Sequence, residues 1–147
     1  MKNLLTVAFT IVMVNLYAQV NITFQVDMTG QTISADGVHI AGSLNGWSTT
    51  ANPLTHQGGN LYAVTIALTA NTTYEFKYLN GNAWGTEEDV PLACENSNEN
   101  RAFDIADLGS SIDLPMYDFG TCTETVVPVE LTFFRGKALE NSIELTW

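Results

Sequence analysis

The feature of this sequence that most constrains its fold is a two-residue alternation of apolar and polar side chains, repeated in short runs. It runs from Asn21 to Met28, from Leu61 to Leu68 and from Tyr74 to Tyr78. Side chains of a β-strand point alternately to its two faces, so each run predicts a strand with one buried face. The residues predicted to be buried are Ile22, Phe24, Val26, Met28, Tyr62, Val64, Ile66, Leu68, Tyr74, Phe76 and Tyr78. After residue 18, no convincing helical period of 3.6 residues occurs.

Further short apolar alternations occur at residues 38–40, 103–105 and 112–114, and they bring the set to about seven strands. Short strands separated by polar turns over about 100 residues favour an all-β fold, an immunoglobulin-like antiparallel β-sandwich. A closed β-barrel is the alternative architecture for the same pattern.

The two ends of the chain predict a different organisation from its centre. The first letters, MKNLLTVAFTIVMVNLYAQ, contain an early lysine, an apolar run too short to span a bilayer and a small residue, Ala18. This layout is typical of a signal peptide, so residues 1–18 are predicted to be removed and residues 19–123 to form the sandwich. The stretch VVPVE, at residues 126–130, indicates a boundary, and residues 131–137 and 142–147 predict two more strands. Residues 124–147 are therefore expected to be a linker and the start of a truncated carboxyl-terminal β segment.

The charge of the chain restricts its partners. Sixteen acidic residues face five Lys and Arg residues, giving a formal net charge of −11, and loss of Lys2 with the signal peptide makes it one unit more negative. Such a charge repels phosphate backbones and anionic membranes, so neither nucleic acid nor membrane insertion is expected. A neutral ligand is not opposed.

The chain has two cysteines, Cys94 and Cys122. An even number in a chain with an export signal predicts one disulfide, which closes a 28-residue loop and stabilises the fold by about 3 to 4 kcal/mol in the chain-entropy model. A zinc site that also uses His39 and His56 is the alternative. The spacing contains no C-x-x-C or H-x-x-x-H pair, so neither metal nor cofactor is predicted.

Nothing in the sequence predicts catalysis. The acidic run Glu87, Glu88 and Asp89 is predicted to be a solvated charge run, because it lacks the regular spacing of oxygen ligands in calcium loops. Glycoside hydrolysis needs two carboxylates that face each other across the bond, and neighbours on one loop do not provide that. Both histidines are predicted to be exposed, with His39 pointing outward from a strand end, so neither is expected to act as a base.

The stretch YEFKYLNGNAWG combines an aromatic strand with a lysine and a tryptophan. If Tyr74, Phe76 and Tyr78 point inward, then Lys77 lies on the outer face, together with Glu75 and Leu79. Asn80-Gly81 then favours a turn, after which Trp84 stands between small residues. Trp47 also follows an Asn-Gly pair. Each tryptophan taken alone is more often a packed residue than a binding one.

Four stretches in a fixed order carry a family resemblance: VHIAGSLNGW (38–47), YEFKY (74–78), AW (83–84) and NENRAFDI (98–105). In this respect the sequence resembles the starch- and glycogen-binding modules of amylolytic enzymes and of the β subunit of the AMP-activated kinase. The resemblance covers residues 20–115. It implies an immunoglobulin-like module that binds an α-glucan and is not itself an enzyme.

The resemblance also implies roles for individual residues. Trp47 and Trp84 match the two sugar-stacking residues, Lys77 matches the residue that hydrogen-bonds sugar hydroxyls, and Asn100 matches the amide that does the same from the other side. An insertion, GTEEDVPLACENSNE at residues 85–99, departs from the family pattern, so Asn96 and Asn98 are alternatives to Asn100. The insertion either blocks or completes the site.

The tail, residues 128–147, resembles the segment that precedes the sorting domain of Bacteroidetes proteins exported by the type IX system. This resemblance implies a secreted or cell-surface protein with covalently linked downstream domains. Two other functions fit the sequence: a structural or adhesive sandwich without a sugar site, and a fragment of a larger secreted enzyme.

Overall fold

The fold is all-β, as predicted. The computed structural model describes residues 19–105, 111–124, 135–139 and 142–146. Eight strands lie in the first two ranges, one more than the approximate number predicted, and two lie beyond them. The strands are β1 (Gln19–Asp27), β2 (His39–Gly42), β3 (Thr55–Gly58), β4 (Leu61–Thr69), β5 (Thr72–Leu79), β6 (Arg101–Ile105), β7 (Ser111–Asp113), β8 (Tyr117–Asp118), β9 (Arg135–Leu139) and β10 (Ser142–Thr146). The described helical structure is one 3-10 turn, Ser43–Asn45, between β2 and β3.

Two sheets form the sandwich. One has the order β3-β4-β1-β7, with β8 also paired to β1, and the other has the order β2-β5-β6. The predicted antiparallel arrangement is wrong in one place, because β1 pairs in parallel with both β7 and β8. The chain reaches β7 from β6 in the other sheet, so no tight hairpin imposes antiparallel pairing there.

The core lies between the two sheets and contains the residues that alternation selected. Ile22, Phe24, Val26 and Met28 of the first run are at most 1% exposed. Tyr74, Phe76 and Tyr78 are 9%, 1% and 0% exposed, so the predicted register of β5 is confirmed. The ring of Phe24 meets those of Phe76 and Phe103 edge to face, at 5.2 and 5.5 Å. The alternate apolar residues of β4 are half-buried for the most part.

Two residues on the outer side of the β2-β5-β6 sheet are more buried than alternation predicts. Leu79 is fully buried, and His39, which was predicted to be exposed, is only 7% exposed. The reason is that residues 52–54 run back along β2, where Pro53 bridges to His39, while Glu87 bridges to Leu79. The Nδ1 atom of His39 has no hydrogen-bond partner among the described residues. His56 is exposed, as predicted.

The predicted disulfide between Cys94 and Cys122 is present, with 5.6 Å between the Cα atoms. For the predicted late strands at 131–137 and 142–147, the described residues contain β9 and β10, which form an antiparallel hairpin over 135–139 and 142–146. The signal peptide at 1–18 and the boundary at 126–130 lie outside the described residues. Within the described ranges, no helix has the length and hydropathy needed to cross a bilayer.

Candidate functional site

The two predicted tryptophans lie side by side. The ring centroids of Trp47 and Trp84 are 6.2 Å apart, and the ring planes are inclined at 41°. The Trp84 side chain is 52% exposed, and that of Trp47 is half-buried. Two loops that are 37 positions apart in sequence therefore present one aromatic surface.

The position of Trp47 depends on a close approach between β2 and β5. A side chain on Gly42 would overlap the carbonyl oxygen of Glu75 and would lie 2.8 Å from the Cβ of Phe76. The Trp47 N–H donates to the Gly42 carbonyl at 2.7 Å, which closes the loop. Both Gly46 and Trp47 have positive φ, 66° and 63°. That conformation is uncommon for a residue as large as tryptophan, and such strain is concentrated at functional sites.

The amide of Asn45 holds the loop that carries Trp47. Its Oδ1 accepts from the Gly42 N–H at 3.1 Å. Its Nδ2 donates to the carbonyl of Ile40, the carbonyl of Ser48 and the side chain of Asn52, at 3.0, 3.1 and 2.9 Å. One side chain at the end of the 3-10 turn thus connects both ends of the loop and holds the backbone around Trp47.

Trp84 lies on the loop that follows β5. Asn80 closes this loop through its backbone N–H, which donates to the Thr86 carbonyl at 2.8 Å. The Asn80 side chain reaches another segment, where its Nδ2 donates to the Thr32 carbonyl and its Oδ1 accepts from the Ser34 N–H, both at 2.9 Å. Asn80 was predicted as a turn residue, and it also anchors the tryptophan loop to residues 32–34.

Lys77 occupies the outer face of β5, as predicted. It is paired with Ala41 of β2, one position before Gly42, and it lies two residues before Leu79, where the Trp84 loop begins. The register therefore places Lys77 between the strand ends from which the two tryptophan loops leave. No ion pair of Lys77 is present among the described residues.

Asn100 lies in a compact loop around Glu75. The residue is 8% exposed, its N–H donates to Asn96 Oδ1 at 3.0 Å, and its Nδ2 donates to Glu75 Oε2 at 3.0 Å. The Nδ2 of Asn98 donates to both oxygens of the same carboxylate, at 3.0 and 3.2 Å. The predicted Asn100 and its alternatives are thus parts of one hydrogen-bonded cluster next to Lys77 on β5.

A buried ion pair fixes the other side of the insertion. Glu88 accepts from Arg101 through both oxygens at 2.8 Å, and it also accepts from the N–H groups of Tyr78 and Gly120, each at 3.0 Å. Glu88 is 1% exposed, so the prediction that it belongs to a solvated charge run is wrong. Four donors replace the water that a carboxylate loses on burial. Asp89 is exposed and Glu87 half-buried.

Burial and the charge of Glu88 shift the pKa values of Tyr78 and Arg101. Burial raises the pKa of Tyr78 well above its ordinary value, and the charge of Glu88 adds to the effect. Burial by itself lowers the pKa of Arg101, but the hydrogen bonds and charge of Glu88 outweigh it, and the net shift is upward. The Arg101 guanidinium also lies 4.4 Å from the ring centre of Tyr117. Arg101 therefore stays charged under all ordinary conditions and acts as a fixed anchor.

The described residues form a groove on the other sheet but no metal-binding group. Groups of three or more His, Cys, Asp or Glu side chains able to hold a metal do not occur in the described part of the chain. A groove of about 340 Å³ lies at Thr23, Thr55, Gln57 and Ala63 to Thr65, on the other sheet. The tryptophan surface consists of the exposed ring of Trp84 and the half-buried ring of Trp47.

Comparisons with known proteins agree with the fold. No family model matches the chain. The chain is 30% identical over 121 residues to an amylopullulanase of Thermoanaerobacter thermohydrosulfuricus, a match that covers 74% of this chain and 8% of that protein. The chain thus spans less than a tenth of this much larger relative.

Solved structures share the same architecture. A family 15 glucoamylase from Hypocrea jecorina has a TM-score of 0.53 at 22% identity, over 69% of this chain and 17% of that one. A glucoamylase from Hormoconis resinae gives 0.51 at 19%, over 73% and 18%. A γ-CGTase from alkalophilic Bacillus clarkii gives 0.52 at 21%, over 69% and 15%. At these identities the likeness shows the fold alone.

Sequence reasoning missed three residues that hold the site together: Asn45, Glu75 and Glu88. The motif GSLNGW contains the signal for Asn45, because asparagine before glycine often hydrogen-bonds nearby backbone in a turn. Glu75 and Glu88 have no comparable local signal. Glu75 binds the side chains of Asn98 and Asn100, which are 23 and 25 positions later in the sequence. Glu88 binds the side chain of Arg101, which is 13 positions later.

Proposed function

We propose that this chain binds an α-glucan of the starch or glycogen type noncovalently, as a secreted accessory module without catalytic activity of its own. The pair formed by Trp47 and Trp84 carries the proposal. The similarity to part of an amylopullulanase supports the choice of ligand class.

The chemistry of the site fits a sugar chain. A glucose ring has an apolar face of C–H groups that can lie on an indole, and its rim of hydroxyl groups needs donors and acceptors. The centroid distance of 6.2 Å and the inclination of 41° make the two indoles a bent surface rather than a flat one. A bent surface suits a helical α-glucan, whose successive rings turn relative to one another, better than a flat extended chain.

The charge of the chain favours a neutral ligand. With a formal net charge of −11 before any processing, the protein repels anionic polymers. Lys77 then serves as a local hydrogen-bond donor beside the tryptophans rather than as part of a basic patch. Binding is therefore expected to change little when salt is added.

The expected affinity is modest. Stacking one ring on an indole removes about 150 Å² of surface from water, which contributes about 4 kcal/mol before costs at 25 cal/mol per Å². Association and the ordering of a flexible sugar offset much of this, so the dissociation constant is expected to be roughly micromolar to millimolar.

The accessory role and the location form the second part of the proposal. The matched segments make up 8 to 18% of the larger proteins to which the chain is similar, which supports a module attached to further domains. The disulfide is compatible with an oxidising extracellular compartment. The signal-like residues 1–18 support secretion, and the tail supports the type IX route.

The first prediction is that removal of either tryptophan, or of Lys77, weakens glucan binding. Maltoheptaose is titrated calorimetrically into the wild type and the Trp47→Ala, Trp84→Ala and Lys77→Ala variants. We expect each tryptophan variant to lose binding by tenfold or more, since about half of the stacking surface is gone, and Lys77→Ala to lose about three- to tenfold. Thr55→Ala is the control, because Thr55 is an exposed residue of β3, in the sheet opposite to the one that contains Lys77.

Folding of each variant is checked by circular dichroism before titration. Equal affinity in all variants, or no binding by a folded wild type, contradicts the proposal and leaves a structural sandwich. Retention on insoluble starch, with cellulose and chitin as controls, tests the ligand class separately. Starch hydrolysis by the purified chain would contradict the noncatalytic role.

A further inference from the structure

We infer that Glu75 is a positioning residue that sets the hydrogen-bonding polarity of the glucan site by orienting the amides of Asn98 and Asn100. This inference rests on the proposed function and adds a residue to which the sequence assigned no role in binding. Glu75 stands on the outer face of β5, two residues before Lys77.

The loop that carries the two amides is closed tightly on itself. The Asn96 N–H donates to the Asn100 carbonyl at 2.8 Å, and the Asn96 side-chain oxygen accepts from the N–H groups of Asn98 and Asn100. Glu99, between them, has φ of 61°, which turns the chain. The loop thereby brings Asn98 and Asn100 to the same carboxylate.

An ionised carboxylate accepts hydrogen bonds and donates none, so only the Nδ2 ends of the amides can face Glu75. Three contacts between 3.0 and 3.2 Å show this arrangement. The Oδ1 atoms of Asn98 and Asn100 are directed away from Glu75, and neither has a partner within the described ranges. Both oxygens keep some contact with solvent, since among the described residues His39 Nδ1 is the side-chain atom that is both fully buried and without a partner.

Glu75 and Lys77 are two residues apart on one face of β5, so the amides held by Glu75 and the Lys77 ammonium share that face and offer opposite polarities. The Lys77 ammonium only donates, whereas the oriented Asn98 and Asn100 oxygens only accept. Two neighbouring hydroxyls of a sugar can satisfy both, because one accepts from Lys77 while the other donates to an amide oxygen. The ligand class that this recognises is a neutral chain whose rings carry adjacent free hydroxyls.

Glu75→Gln tests the inference, because glutamine keeps the shape but has both a donor and an acceptor. In the variant, the glutamine NH₂ can donate to Asn98 or Asn100, so their Nδ2 ends are no longer required to face residue 75. Each asparagine amide can then turn its nitrogen, instead of its oxygen, toward the ligand. We expect affinity for maltoheptaose to fall about three- to tenfold, the effect of one or two misoriented hydrogen bonds. Glu99→Gln is the matched control, since it removes the same charge from an exposed side chain in the same loop.

A double-mutant cycle separates orientation from general structural damage. If Glu75 acts through Asn100, Glu75→Gln weakens binding much less in an Asn100→Ala background than in the wild type. Equal losses in both backgrounds overturn the inference, and so does a Glu99→Gln effect as large as that of Glu75→Gln.

A readout without ligand distinguishes this inference from the proposed function. In nuclear magnetic resonance spectra, the side-chain NH₂ signals of Asn98 and Asn100 are expected to shift in Glu75→Gln and to stay in place in Glu99→Gln. If the wild type binds no glucan but these signals shift as expected, the proposed function fails and the orienting role of Glu75 stands. Unchanged signals in Glu75→Gln overturn the role whatever the binding result.

Discussion

At the scale of single residues, the loop of Trp47 depends on one position that carries no side chain. Gly42 ends β2 opposite Phe76, and its φ of 178° is one that any residue adopts. Glycine is required there because of space, since β5 approaches the Cα of Gly42 too closely for a Cβ. The same approach allows the 3-10 turn to begin beside Glu75, whose N–H donates to Ser43 Oγ at 3.0 Å.

Gly42→Ala is predicted to destabilise the fold and to displace Trp47. The added methyl must push β2 away from Glu75 and Phe76, at a cost of about 1 to 3 kcal/mol for overpacking. The control is Gly59→Ala, where the space is open but φ is 57°, so only the cost of a left-handed conformation, about 1 kcal/mol, applies. Urea unfolding measures both variants. A smaller loss for Gly42→Ala than for Gly59→Ala would show that β2 yields easily.

At the scale of elements, strands were predictable and loops were not. Alternation identified the buried face of β1 and β5, because a strand of period two needs only local sequence to define its faces. Glu88 and His39 were predicted wrongly because their burial depends on chain segments that return from elsewhere. Glu88 becomes buried only where Arg101 and Gly120 supply donors, and His39 only where Pro53 bridges to it.

The candidate site follows the same division. Trp47, Trp84 and Lys77 were identified from residue type and order, and the structure places the two indoles together. The residues that hold the loops of the site form contacts across the fold, as Asn80 does with residues 32–34 and Glu75 with residues 98–100. Such contacts leave no periodic signal, because each is a single pair set by the tertiary fold.

The insertion at residues 85–99 is held at its base by the Glu88–Arg101 ion pair, so Glu88→Gln is predicted to be strongly destabilising. Removing one partner leaves the Arg101 charge buried without its counter-ion, which costs about 3 to 5 kcal/mol. The neighbouring change Asp89→Asn removes the same charge at an exposed position and is expected to alter stability by about 0.5 kcal/mol or less. Denaturant unfolding of both variants gives the comparison. Similar small losses would show that the ion pair contributes little.

At the scale of the whole molecule, the stability of the sandwich is expected to depend on pH through Tyr78, which is fully buried, and Tyr117, which is half-buried. The Tyr78 hydroxyl donates to the Gln25 carbonyl at 2.9 Å, which links the two sheets across the core. Burial raises the pKa of Tyr78 well above its ordinary value, and burial followed by the charge of Glu124 raises that of Tyr117. In the unfolded chain both groups titrate near pH 10. At alkaline pH the hydroxyls of Tyr78 and Tyr117 therefore stay protonated in the folded protein after those of the unfolded chain have lost their protons.

The free energy of unfolding is accordingly predicted to be steady up to about pH 9 and to fall as pH rises through 10 and above. The sign follows because a raised folded-state pKa means that the unfolded chain binds fewer protons there, so its population grows with pH. Tyr78→Phe loses the bond to Gln25 and should be less stable at pH 8 by about 1 kcal/mol. It should also lose less stability than the wild type between pH 9 and 11, since one of the two titrating groups is gone. Urea unfolding across this range measures both slopes, and parallel curves for the two proteins would show that Tyr78 does not couple folding to pH.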